Sequence, residues 1–257
     1  RQSEEMGREE KTLLFSVARI CFKGDGGSLS KQIQGRNNQA NRNKNIVLGL
    51  NSKKDIYEEH REEAKDLVFF NEIGGFNKDG NEYVIYLNNG NVTPAPWSNV
   101  VSNGNFGFLT TENGSMYTWS ENSRENKLTP WSNDPVVDPS GEVIYIRDED
   151  GEYENTWTIT PGPIRDKNTY IIKHGFGYTA FNHTAYGISQ EEKVFVPVSD
   201  NVKIYSIKLK NISGKKRKIS ATLYIRPVLG VHEDITSPFI VTSSHKETGV
   251  MLIKNSY

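Results

Sequence analysis

Residues 202–225 read VKIYSIKLKNISGKKRKISATLYI, and the fold class turns on them. Val202 to Leu209 and Ile219 to Ile225 are β-rich runs with a hydrophobic period of two, and Ser213-Gly214 between them is turn chemistry. The same pattern extends outward in both directions. Tyr83-Val84-Ile85-Tyr86-Leu87, Val143-Ile144-Tyr145-Ile146 and Lys193-Val194-Phe195-Val196 precede it, and Val250 to Ile253 follows. Asp79-Gly80, Asn89-Gly90, Asn113-Gly114 and Asp150-Gly151 supply further turns. From Phe69 onward no helical pattern of useful length intervenes, so there are no crossover helices to allow parallel pairing. The expected fold is mainly β, a large antiparallel β-sandwich over residues 69–257.

Residues 1–68 read differently. Leu13, Leu14, Val17, Ala18, Cys21 and Phe22 fall on one face of a helix, with Glu9 and Glu10 ahead of them and Gly24-Asp25-Gly26-Gly27 after. Gln34 to Asn45 is rich in Asn, Gln, Arg and Lys and has almost nothing to bury, as a solvated linker would. Ile56, His60, Ala64 and Leu67 recover helical spacing. Two such helices make no core alone, so residues 1–68 are expected to be a short, partly disordered helical extension. The start Arg1-Gln2-Ser3-Glu4-Glu5 is neither an initiator Met nor a signal peptide, and reads as a boundary inside a longer gene product.

The charges nearly cancel, 31 basic against 32 acidic residues for a net charge of -1, which gives nucleic acid no electrostatic footing. No run approaches the roughly 18 apolar residues of a membrane span, so membrane insertion by this chain is not expected. The single cysteine, Cys21, precludes an intrachain disulfide and a cysteine-built zinc site, and in an apolar helical stretch it reads as a buried thiol. Neither cofactor nor metal is expected. Gly24 to Ser28 lacks the Lys and the preceding strand of a phosphate-binding loop. The five histidines are scattered, with His174 and His183 flanking Gly175-Phe176-Gly177-Tyr178 as packing or turn residues. Asp148-Glu149-Asp150 has the oxygen ligands for a cation, and equally the form of a turn after a strand.

The stretch Tyr117 to Pro135, YTWSENSRENKLTPWSNDP, stands apart. It carries two tryptophans, three asparagines, an Arg and several carboxylates, and reads as too polar for a core strand. Sugars need this mixture: flat apolar rings for their C–H faces, and planar amide, carboxylate and guanidinium groups for neighbouring hydroxyls. Trp97, after Thr93-Pro94-Ala95-Pro96, adds another aromatic on a stiff turn. Two readings stay open here, a carbohydrate- or domain-contacting surface and a plug that ties down a long connection. The candidate residues are Trp119, Asn122, Arg124, Glu125, Asn126, Trp131, Asn133 and Asp134, with no catalytic residue among them.

Several motifs, in collinear order, resemble the phosphorylase-like part of cyclic β-1,2-glucan synthases. They begin with Phe69 to Phe76, Asp79 to Ile85 and Thr93-Pro94-Ala95-Pro96-Trp97; Tyr117 to Pro139 with Gly141-Glu142 and Tyr145 to Asp148 is the most specific. His174 to Tyr178, Val196-Pro197, Asn211-Ile212-Ser213 and Val228-Leu229-Gly230 continue the series, and even Gly27-Ser28-Leu29 resembles the segment upstream. Asn71-Glu72-Ile73 and the linker around Gln34 to Asn45 depart from the pattern. That part of the synthase is similar to glycoside hydrolase family 94, formerly glycosyltransferase family 36, the inverting β-glucoside phosphorylases. The resemblance implies an N-terminal β-supersandwich, galactose-mutarotase-like, followed by a helical linker and an (α/α)6 barrel that carries the catalytic Asp.

By that resemblance the chain is expected to be a non-catalytic, carbohydrate-associated domain, inactive alone, that orients the absent barrel. Its implied partners are β-glucan, β-1,2-linked, and that barrel, with homodimerisation as a further expectation. The implied location is cytoplasmic, in a parent protein attached to the membrane. The alternative is a structural or dimerisation module without sugar affinity. A free-standing hydrolase using Glu121 and Glu125 is a third reading, which needs the two acids about 5 to 10 Å apart.

Overall fold

A computed structural model describes residues 66–150 and 156–257, together with Gly7, Gly24, Gly27, Ser28 and residues 30–32. The helical spacing of Leu13 to Phe22 and of residues 53–65, Cys21 and the linker around Gln34 to Asn45 lie outside the described residues, as does Gly151 of the Asp150-Gly151 turn.

Among the described residues the molecule is built from antiparallel strands. In chain order they begin β1 (Gly74–Phe76), β2 (Glu82–Leu87), β3 (Ser98–Ser102), β4 (Phe106–Thr111) and β5 (Met116–Ser120). β6 (Glu142–Asp148), β7 (Thr156–Thr158), β8 (Tyr170–Gly175), β9 (Tyr178–Ala185) and β10 (Ile188–Phe195) follow. The last are β11 (Ile204–Asn211), β12 (Ile219–Ile225), β13 (Ile240–Ser244) and β14 (Met251–Asn255), with one helical turn, α1 (Glu233–Thr236), before β13. A six-stranded sheet runs β1-β2-β8-β9-β10-β11. Two three-stranded sheets, β3-β4-β5 and β12-β6-β7, and the hairpin β13-β14 complete the fold. The two runs of residues 202–225 are both strands, yet they do not pair: β11 ends the large sheet and β12 edges a small one. No helix among the described residues is long and apolar enough to cross a membrane.

One core unites the sheets. Register sets Ile85, Ile172, Phe181, Glu192 and Ile207 in one row across the large sheet. A second row holds Tyr83, His174, Thr179, Val194 and Tyr205, and a third Leu87, Tyr170, His183, Gln190 and Leu209. Phe106, Phe108 and Met116 of the β3-β4-β5 sheet belong to the same hydrophobic cluster as Ile144, Ile146 and Trp157 of the β12-β6-β7 sheet. The large sheet therefore packs one face on both small ones, as a sandwich must.

The polar residues in these rows are bonded in place. His174 sits between Thr179 Oγ1 at 3.2 Å and the Trp97 carbonyl at 3.1 Å, and burial lowers its pKa to about 4. His183 lies between the Thr169 carbonyl and Asp166 and stacks on Tyr170 at 3.8 Å. Both are packing histidines, as the sequence led us to expect. Asp148 is also internal: its carboxylate is gripped by Arg217 at 2.5 Å.

Two turns show why glycine stands where it does. Asn89 and Gly90 both take positive φ, 55° and 79°, and Asn91 N–H donates to Asn88 C=O to close the turn. Gly114, at φ 88°, lies so close to Thr160 that a Cβ would fall 2.3 Å from that residue's Cβ.

Candidate functional site

The stretch from Tyr117 to Asp134 is half strand and half loop. The sequence reading of it as too polar for a core strand needs correcting at its start, because residues 116–120 form β5. Period-two alternation buries Met116 and Thr118 and leaves Tyr117 and Trp119 half-buried on the other face. Chain connectivity then brings Trp131 back against Tyr117. The rings make a row, Trp119 to Tyr117 at 5.2 Å and Tyr117 to Trp131 at 5.2 Å, tilted by 38° and 40°. Trp131 is 37% exposed at the end of that row. Tyr117 escaped the sequence reading as a site residue, although its spacing of two from Trp119 in a strand places both on one face.

The polar candidates between the tryptophans form an exposed turn. Asn122 Oδ1 accepts from the N–H groups of Arg124 and Glu125 at 2.9 and 2.8 Å, and Asn126 N–H donates to Asn122 C=O at 3.0 Å. Asn122 is thus a turn former. Arg124 and Glu125 form an ion pair at 3.3 Å between neighbours, with side chains 84% and 58% exposed. Glu121, at the head of the turn, is exposed and takes a φ of 63°.

Beyond this turn the loop is stapled down. Trp119 and Lys127 form a β-bridge, as do Lys127 and Gly230, while Leu128 bonds Thr118 and Val228 through its backbone. Thr129 is buried and donates to Glu142 at 2.5 Å. Asn133 is exposed, and Asp134 serves as a second turn former, accepting from Val136 and Val137 N–H at 3.0 Å each. Those two backbone bonds lower the Asp134 pKa below the usual carboxylate value. The structure therefore joins Trp119 to Trp131 through Tyr117, gathers residues 122–126 in a separate exposed turn, and leaves Asn133 and Asp134 at the far end.

A buried ionic knot anchors the loop. Glu142 accepts from Thr118 and Thr129 hydroxyls at 2.5 Å each, from Lys203 Nζ at 2.7 Å, and from the Tyr205 hydroxyl. Burial opposes ionisation of Glu142, but the Lys203 ammonium and the hydroxyl donors outweigh it and hold the pKa down to about 2. Lys203 also lies 4.4 Å from the Phe108 ring centroid. Glu192, also buried in the core, has no such set of donors; burial pushes its pKa up to about 7. Glu142 was read in the sequence only as part of a motif, because nothing in its spacing announces a partner 61 residues away.

Beside Trp131 a cavity of about 310 Å³ opens between the stapled loop and the chain that leaves β12. Its polar lining is Lys127, Ser132, Arg226, His232 and Glu233. Arg226 and Glu233 meet in a two-pronged pair, 3.1 Å at Nε and 2.5 Å at Nη2. Lys127 Nζ donates to the Val231 carbonyl at 3.0 Å. The sequence reading missed Arg226, His232 and Glu233, whose contribution depends on β12 returning beside the loop.

Known proteins are similar to this chain in sequence. The chain is 30% identical to the cyclic β-(1,2)-glucan synthase NdvB of Rhizobium meliloti, over 98% of its own length and 9% of that protein. It is 31% identical to the N,N'-diacetylchitobiose phosphorylase of Vibrio proteolyticus over 59% of its length and 19% of that protein. It is 30% identical to the solabiose phosphorylase of Paenibacillus borealis over 60% of its length and 20% of that protein. The chain thus spans a fifth or less of the relatives it matches. Residues 81–257 match the family described as glycosyl hydrolase 94, supersandwich domain, and with a mainly antiparallel β-sandwich beneath that match the chain belongs to this family.

Proposed function

We propose that the chain is the non-catalytic, carbohydrate-associated domain of a larger β-glucan-processing enzyme. In this reading it orients an (α/α)6 catalytic barrel supplied by the parent protein and presents the loop from Trp119 to Asp134 to glucan or to that barrel. The observation that carries the reading is the aromatic row Trp119–Tyr117–Trp131 beside the exposed turn of Arg124, Glu125 and Asn126. Exposed rings and forked polar groups on a fixed support are what saccharide recognition uses. The buried Glu142–Lys203 knot supplies the support. The names of the similar synthase and phosphorylases point to β-1,2-glucan and related β-glycosides as the substrate class of the parent.

In this reading no acid of the loop has a catalytic role. Glu125 is paired with Arg124 in solvent, and that exposed pair supplies polar groups for contact. The proposal is tested by incubating the purified chain with β-1,2-glucan and phosphate. Glucose 1-phosphate at the level of an empty-vector control is expected, and release above that control would overturn it.

A second reading, a packing or dimerisation module, is favoured by the last strands. Leu223, Tyr224 and Ile225 on β12 and Val241, Met251 and Leu252 on the β13-β14 hairpin are all more than a third exposed.

A further inference from the structure

We infer that the cavity between Trp131 and His232 is a saccharide subsite that takes an uncharged sugar ring of a β-glucan. The inference rests on the carbohydrate reading above and deepens it, by separating a binding cleft from the exposed turn at Arg124.

The cleft is held open by the backbone rather than by its ligand. Lys127 and Gly230 exchange two backbone hydrogen bonds, at 3.1 and 3.0 Å, and Val228 N–H donates to Leu128 C=O at 2.9 Å. These bonds fix the loop wall against the wall that follows β12, so little ordering entropy remains to be lost when a ligand enters. At about 310 Å³ the space is at the small end of ligand pockets and suits roughly one or two pyranose rings.

The lining suits a neutral polyol. Lys127 and Arg226 carry positive charge and Glu233 negative charge around the same small volume. Arg226 and Glu233 neutralise each other in their two-pronged pair and Lys127 already donates to the Val231 carbonyl, so the lining offers hydrogen-bonding groups rather than a strong field of one sign. Hydroxyl groups, which donate and accept, satisfy both signs. Trp131 lines the cavity while it packs on Tyr117, a supported indole suited to the apolar C–H face of a pyranose. His232 precedes α1 and makes no side-chain cap bond there, which leaves its imidazole for a hydroxyl.

The test is a titration of the full chain with sophorose, the β-1,2-linked glucose disaccharide, and with cellobiose, followed by tryptophan fluorescence and by saturation-transfer NMR. Wild-type chain should show saturable binding, weakened at least about tenfold by Trp131→Ala and by His232→Ala. Phe176→Ala, at an 83% exposed position on the β8–β9 turn, serves as the control and should leave binding unchanged. His232 lies on the surface without a cap bond, so its variant stays informative even if Trp131→Ala folds poorly. Binding that survives both cavity variants would overturn the subsite and leave the reading of the loop intact. Absence of binding by wild type to either sugar would also overturn the subsite; the loop's contact with a barrel is then read separately, from turnover by the parent enzyme.

Discussion

Lys203→Met removes the cation from the buried knot and leaves the Glu142 carboxylate in the core. In the wild type the fall of the Glu142 pKa from 4.5 to about 2 corresponds to about 3 kcal/mol of stability. That contribution is full above pH 4.5, where the carboxylate is charged in folded and unfolded chains alike, and is lost as pH falls through 2. Burial of Lys203 works against it, so the pair is worth less than the Glu142 half alone. Removing one partner is a harsher change than removing both. The three hydroxyls of Thr118, Thr129 and Tyr205 remain, but a buried anion without its cation should cost roughly 3–5 kcal/mol at pH 7.

Protonation relieves part of that cost, so the deficit should shrink as pH is lowered toward 4. Glu142→Gln combined with Lys203→Met leaves no buried charge in the knot and keeps an acceptor for the hydroxyls; it should lie within about 2 kcal/mol of wild type. Urea unfolding followed by circular dichroism and tryptophan fluorescence, at pH 4 to 8, measures all three proteins. A single variant within about 1 kcal/mol of wild type at pH 7, or a double variant no more stable than the single, would refute the reasoning.

Glu192 gives the opposite pH dependence, since its pKa rises from 4.5 to about 7 in the folded chain. Its penalty is absent below pH 4.5 and complete above 7, so Glu192→Gln should gain up to about 3 kcal/mol at pH 8 and almost nothing at pH 4, read from urea midpoints. Gly114→Ala forces a side chain at φ 88° into Thr160 and should cost roughly 2–4 kcal/mol in the same assay. Phe176→Ser should change the midpoint by less than about 0.5 kcal/mol, because an 83% exposed turn residue loses little on substitution.

How much was legible in sequence follows from the range of the interactions involved. Strands dense in Val, Ile, Leu and Tyr between turn residues, such as β2, β6 and β12, could be read directly, because that composition is a local signal. β4, FGFLTT, escaped because five of its six residues are buried, so no polar face alternates with an apolar one. β9, YTAFNHTA, escaped because Thr179, Asn182 and His183 interrupt its apolar residues; Thr179 and His183 bond within the sandwich. The candidate loop was located by its composition, but its division into an exposed turn and a stapled half was not legible. That division depends on Thr129 reaching Glu142 and on Lys127 meeting Gly230, contacts set by tertiary folding. The cavity was equally out of reach, because its walls are about 100 residues apart in sequence.

The central claim is that the loop from Trp119 to Asp134 is a working surface on a rigid support, and one paired measurement tests it most directly. Arg124→Ala and Trp131→Ala are placed both in this chain and in the parent enzyme with its barrel, and the unfolding midpoint and glucan turnover per folded molecule are measured together. Arg124 is 84% exposed on its side chain and Trp131 sits at the end of its aromatic row, so the midpoint should move by less than about 1 kcal/mol while turnover falls at least about tenfold. Strong destabilisation of the chain with normal turnover per folded molecule would contradict the account and make the loop a structural plug.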